Sequence, residues 1–231
     1  MLTLDDLNIT QGDFRLSAGF AVPMGTTTAI LGPSGAGKST LLSVIGGFFA
    51  PTSGRVTWEG RDLTAMPPAK RPMAHLFQDN NLFPHMTAAQ NVGLGIKPTL
   101  RLSPADKRAV QEALAATGLG DMGNRRPAQL SGGQQSRVAL ARVLVQRQPL
   151  VLLDEPFSAL GPAMRKDMTA LARDVGARIG ATMLMVSHDL GDAQAFADQV
   201  IWVEGGEAHP PRTWTQIAAH PPQGYRDYIG H

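Results

Sequence analysis

Two short segments of this chain hold residues whose types and spacing suit them to grip phosphate. Gly32-Pro33-Ser34-Gly35-Ala36-Gly37-Lys38-Ser39 fits the pattern G-x-x-x-x-G-K-S/T, and Leu130-Ser131-Gly132-Gly133-Gln134 is the second. In the first, glycines let phosphate approach the backbone N–H groups, and a helix start adds a dipole that favours negative charge. The Lys38 ammonium would reach the β- and γ-phosphates and the Ser39 hydroxyl would ligate Mg²⁺, so the expected contact set runs from Gly32 to Thr40. A third group, Asp154-Glu155, ends an apolar run. Asp154 would hold Mg²⁺ through water, and Glu155 stands where an attacking water needs a general base. Together these groups describe nucleoside triphosphate hydrolysis. By chance the first pattern would occur in roughly one chain in a hundred of this size and the second in about one in a few thousand, so their joint presence is informative.

Such groups act only if the chain brings them to one place. Thr27-Thr28-Ala29-Ile30-Leu31 is a short β-prone run ending in the glycine-rich loop, and residues 40–45 read as the helix that follows. Leu150-Val151-Leu152-Leu153 is continuously apolar, as a parallel strand buried on both faces would be, and it ends at Asp154. Thr182-Met183-Leu184-Met185-Val186-Ser187 is another such run, ending at His188. In an open α/β sheet the ligand crevice lies beyond the carboxyl ends of the strands, where Lys38, Asp154, Glu155 and His188 are expected to meet.

Residues 2–22 alternate well enough for antiparallel strands, and 54–60 read as a strand between turns. From about 79 to 147 the texture is helical. Ser103-Pro104 starts one helix, which Gly118 ends, and Ser131 caps another with Gln134 reaching back. Two adjacent glycines weaken a first turn, so Gly132 and Gly133 make sense where a phosphate must come close. The expected fold is α/β: one domain over 1–231, a mixed sheet with N-terminal antiparallel strands, and a helical lobe inserted at about 79–147.

Composition sets outer bounds. A chain of 231 residues, 43% hydrophobic and 17% charged, can bury a substantial core. No apolar run approaches the roughly 18 residues that span a bilayer, and Met1-Leu2-Thr3-Leu4-Asp5-Asp6 carries acid where a secretory leader carries base. The chain is therefore expected in the cytosol, outside the membrane itself. It has no cysteine, which excludes disulfides and thiolate metal sites. A formal charge of +2 without a basic run argues against a nucleic-acid partner. His75, His85, His209, His220 and His231 lack metal-ligand spacing, and the methionines read as core filler.

With both phosphate motifs present, the sequence resembles the ATP-binding subunits of ABC transporters over nearly its whole length. The resemblance implies a P-loop NTPase cassette that takes ATP and Mg²⁺. It implies that Ser131, Gly132, Gly133 and Gln134 face the γ-phosphate of ATP on a second copy's P-loop, giving a homodimer closed on two ATP molecules. Gln78, after the β-prone residues 73–77, matches the family's glutamine loop, which senses Mg²⁺ and water and connects to the membrane partner. His188 matches the switch histidine that contacts the γ-phosphate. The implied partners are two permease subunits or one fused permease at the cytoplasmic face of the inner membrane, with a periplasmic solute-binding protein reached indirectly. Glu155 and both halves of the site count against a catalytically dead module. A single cassette with no coiled-coil insertion counts against a soluble ABC ATPase acting on DNA or ribosomes.

Within importers, Pro67-Pro68-Ala69-Lys70-Arg71-Pro72, Leu76-Phe77-Gln78-Asp79-Asn80-Asn81-Leu82-Phe83-Pro84-His85 and Ala89-Gln90-Asn91-Val92-Gly93-Leu94-Gly95 are most similar to thiamine-type import ATPases. Those residues are expected to touch a permease, so thiamine or its phosphates is implied by kinship, and an iron, polyamine or other small-solute importer is the alternative. Leu82, Phe83 and Met86 either pack under the helical lobe or line a groove for a permease helix. Two positions depart from the family pattern. Gly161 stands where aspartate is usual; before Pro162 it still caps a helix, but a carboxylate that links the two sites is gone. Gln11 aligns with the ring that stacks on adenine and cannot stack like one; Phe14 is the nearest aromatic residue, and a core role is expected of it at least as much.

Overall fold

The computed structural model describes residues 1–225 and 228, so His231 lies outside the described residues. In chain order the elements are β1 (Leu2–Gln11), β2 (Phe14–Val22), β3 (Thr27–Leu31), α1 (Lys38–Gly46), β4 (Ser53–Trp58) and β5 (Arg61–Asp62). They continue with β6 (Met73–Leu76), α2 (Ala88–Gly93), α3 (Pro104–Ala116), α4 (Gly132–Gln146), β7 (Leu150–Asp154) and α5 (Pro162–Ile179). The last are β8 (Thr182–Val186), α6 (Leu190–Phe196), β9 (Gln199–Glu204), β10 (Glu207–Ala208), β11 (Arg212–Thr213) and α7 (Trp214–Ala219). The chain divides into two units, Met1–Met73 with Thr182–His231, and Ala74–Ala181.

In the first unit the strands run β5-β4-β1-β2-β10-β9-β3-β8, with β11 beside β9. Strand β1 pairs antiparallel with β2 and β4, its alternation placing Leu2, Leu4, Leu7 and Ile9 in the core. The spacing slips between Leu4 and Leu7, where the register shifts and Asp6 takes φ 43°, so that a bulge returns leucine to the buried face. Strands β9, β3 and β8 are parallel neighbours, Ile30 standing opposite both Ile201 and Val186. Every residue of β3 and β8 is buried, the reason these runs read as unbroken apolar stretches. The Asp198 carboxylate accepts from the Thr27 amide at 3.0 Å and hydroxyl at 2.6 Å, fixing where β3 begins.

Arg71 belongs to this core and not to the permease-facing set expected of residues 67–72. It is 4% exposed, and its guanidinium donates to the carbonyls of Val44, Ile45, Thr64 and Met66. It thereby satisfies the last turn of α1, where carbonyls lack helical partners.

The second unit is built round an apolar cluster that includes Val92 of α2, Val110 and Leu114 of α3, and Val138 and Ala141 of α4. Three of its helices start with reciprocal capping boxes: Thr87 with Gln90, Ser103 with Asp106, and Ser131 with Gln134. Strands β6 and β7 are neighbours in it. The apolar residues of the 82–86 loop do not share one environment. Leu82 packs against the cluster, while Phe83 is 46% exposed. The buried Asn91 side chain settles that loop, accepting from the Phe83 amide at 2.8 Å and donating to the carbonyls of Phe83, Met86 and Thr87.

Candidate nucleotide site

The phosphate loop leaves β3 at Gly32, whose φ is 147°. A Cβ there would stand 2.0 Å from the Val203 carbonyl oxygen, so only glycine lets the chain turn this close to β9. Gly37, at φ 101°, caps α1 without a side-chain hydrogen bond, and the first turn of α1 carries no acid. A helix start of that kind suits an anion. Lys38 is only 8% exposed, and its Nζ donates to the carbonyls of Gly32 and Pro33, both at 2.8 Å, which folds the ammonium back over the loop. Ser39 is exposed on the first turn.

Phe14 has a role that the sequence leaves open. Its ring lies against the loop, with Cζ 2.5 Å from where a Cβ on Gly37 would be, while Gln11 is exposed at the end of β1. His188 follows β8 and is exposed. The Ser187 amide donates to the Ile30 carbonyl at 3.3 Å, extending the β3–β8 pairing to its carboxyl end. The phosphate loop and His188 thus leave adjacent parallel strands at the same end.

In the second unit, Ser131 starts α4, its amide donating to Gln134 Oε1 at 2.9 Å and its hydroxyl accepting from the Gln134 amide at 3.3 Å. The two glycines stand in different surroundings. Gly132 is exposed, with room for a Cβ, whereas a Cβ on the buried Gly133 would lie 2.2 Å from the sulfur of Met164 on α5. Met164 is itself 43% exposed and meets Gly133 with the flexible end of its side chain, so that overlap can be relieved by a rotamer change. Asp154 is the last residue of β7 and is half-buried. Glu155 adopts φ 43°, and its carbonyl accepts from the Ser158 amide at 3.3 Å and hydroxyl at 3.1 Å. A left-handed non-glycine residue costs on the order of 1–3 kcal/mol, and such strain gathers at functional sites. Gln78 is exposed just beyond β6. Gly161 caps α5 at φ −65°, with nothing within 4 Å of a Cβ placed there, so the missing aspartate is not a steric necessity.

Residues 17–158 match the family model described as ABC transporter. Over its full length the chain is 52% identical to the thiamine import ATP-binding protein ThiQ of a Ruegeria species, 100% of each being covered. The chain belongs to the ABC transporter family. It is also similar to the thiamine import ATP-binding proteins ThiQ of Cereibacter sphaeroides, at 50% identity over 100% of each chain, and of Escherichia coli, at 47% over 89% of each. Among solved structures, the dimeric ATP-binding cassette MJ0796 in a post-hydrolysis state with ADP and Pi aligns with a TM-score of 0.78 and 30% identity, over 92% of this chain and 98% of that one. The mixed sheet is thus that of an ABC cassette, and the chain binds ATP.

Proposed function

We propose that this chain is the ATP-hydrolysing, energy-coupling subunit of an ABC importer for thiamine or thiamine phosphates. The observation that carries the ATPase reading is the loop at 32–38, with Gly37 at positive φ, an α1 start free of acid, and Lys38 held over it. The solute follows from the full-length likeness to the ThiQ proteins.

On this reading, the amides of Gly35, Ala36, Gly37 and Lys38 cradle the β- and γ-phosphates within a contact set running from Gly32 to Thr40. Lys38 exchanges its two carbonyl partners for phosphate oxygens. Ser39, Asp154 and Gln78 offer oxygen donors, the hard ligands that suit Mg²⁺. A Mg²⁺ ion held there would supply positive charge to offset that of the phosphates. Glu155 takes the proton of a water whose oxygen attacks the γ-phosphorus, and the bond to the bridging oxygen breaks to give ADP and phosphate. His188 orients the γ-phosphate, and Ser131, Gly132, Gly133 and Gln134 of a second copy close over it. The partners are then a second copy and a permease of two subunits or one fused chain, loaded by a periplasmic solute-binding protein. Among the described residues no helix is long and apolar enough to cross a membrane, so attachment to the cytoplasmic face would run through the permease.

The test is the complex reconstituted in liposomes with the chain as it is and with Glu155→Gln. Thiamine-loaded binding protein should stimulate hydrolysis in the first, and the second should retain ATP binding and lose turnover. Stimulation by a polyamine or iron complex, with none by thiamine, would replace the solute and leave the ATPase reading intact. Unchanged turnover in Glu155→Gln would move the base elsewhere.

A further inference from the structure

The residue proposed to orient the γ-phosphate, His188, is exposed in the loop after β8, and the hold on its backbone helps set where the imidazole stands. Part of that hold comes from far along the chain. Trp202, 1% exposed in β9, pairs with Leu31, the residue immediately before the phosphate loop. Two tyrosines stand edge-on to its ring: Tyr225 at 5.6 Å and 69°, and Tyr228 at 5.2 Å and 90°. The segment carrying them is pinned to the same strand, since the Gly224 amide donates to the Glu204 carboxylate at 2.9 Å. The Tyr228 amide donates to the Gly224 carbonyl at 3.0 Å, which ties the second ring to the same anchor. From there the Tyr228 hydroxyl donates to the His188 carbonyl at 2.7 Å.

We infer that Tyr228 is a positioning residue for His188, and through it for the turnover step; this rests on the role proposed for His188 above. The ring supplies rigidity, because an aromatic side chain has few torsions and this one is packed edge-on against Trp202. The hydroxyl supplies direction. A carbonyl held at its oxygen limits rotation of the peptide plane after His188, and so narrows the volume that the imidazole sweeps. None of the phosphate motifs includes Tyr228, and its hydroxyl reaches the backbone of His188. Its effect is therefore on the rate of a bound ATP, not on how ATP binds.

Tyr228→Phe in the full chain keeps the ring and removes the donor. Turnover should fall about fivefold, the size expected for one neutral hydrogen bond, while KM for ATP stays within about twofold. Amide exchange should quicken at 187–190 and stay unchanged through β8. Unchanged kcat, or unchanged exchange at 187–190, would overturn the inference. Quickened exchange throughout β8 and β9 would also overturn it, by making Tyr228 a general structural prop. His188→Ala separates the two levels of the argument. A normal rate in that variant would remove the role of His188 itself, whereas a slowed His188→Ala beside a normal Tyr228→Phe would sink only the tyrosine's part.

Discussion

Gly37 and Lys38 show how narrowly single residues are specified in the phosphate loop. A methyl on Gly37 meets the Phe14 ring at 2.5 Å on a backbone with φ 101°, so Gly37→Ala combines overlap with backbone strain. Each effect costs about 1–3 kcal/mol. The urea midpoint of Gly37→Ala should fall accordingly, and Phe14→Ala in the same chain should restore the part due to overlap but not the part due to φ. Lys38→Ala removes both the charge and the two carbonyl contacts that hold the ammonium over the loop. Its ATP affinity should drop at least about tenfold, as expected for loss of a charge-assisted hydrogen bond. Fluorescent nucleotide titration of the folded variant checks this, and an unchanged affinity would count against the loop as the triphosphate site.

At the scale of the element, β6 carries a pH dependence. The ring of His75 is stacked on Phe77 at 4.0 Å and 6°, and burial lowers its pKa from 6.5 to about 4. Because the folded value is the lower one, the unfolded chain takes up the proton first as pH falls. The neutral ring's contribution is therefore fully present above about pH 6.5 and is lost progressively down to about pH 4. His75→Phe keeps an aromatic ring and abolishes the titration. Across that window the wild type should lose up to about 3 kcal/mol more stability than the variant. Denaturant midpoints of both proteins at either end of the window would show it, and parallel losses would assign acid sensitivity to other groups.

At the scale of the whole molecule, what matters is which surfaces stay available for a partner. Phe83 presents a half-exposed ring from a loop whose backbone Asn91 holds at both the amide and the carbonyl of Phe83. The backbone beneath that ring is thus already ordered, which lowers the entropic cost of a contact there. Phe83→Asp should leave basal hydrolysis unchanged and move stability by less than about 0.5 kcal/mol, since an exposed side chain is replaced. In the reconstituted complex it should abolish solute-stimulated hydrolysis. Stimulation that survives would take Phe83 out of the coupling path.

The features legible in the sequence are those decided within a few residues of themselves. A capping box closes over three positions, so Ser103 and Ser131 announce their helices. The glycine spacing before Lys38 specifies a tight backbone turn, and the apolar runs of β3, β7 and β8 specify burial on both faces. Each of those facts survives whatever the rest of the chain does. Tertiary structure alone decided the rest. Met164 lies over Gly133, the Phe14 ring lies against Gly37, Arg71 turns inward to the carbonyls of α1, and Tyr228 reaches His188. Every one of these joins residues distant in sequence, and none is encoded in a spacing. Close packing leaves each buried atom one set of neighbours, and that set exists only once the whole chain has folded.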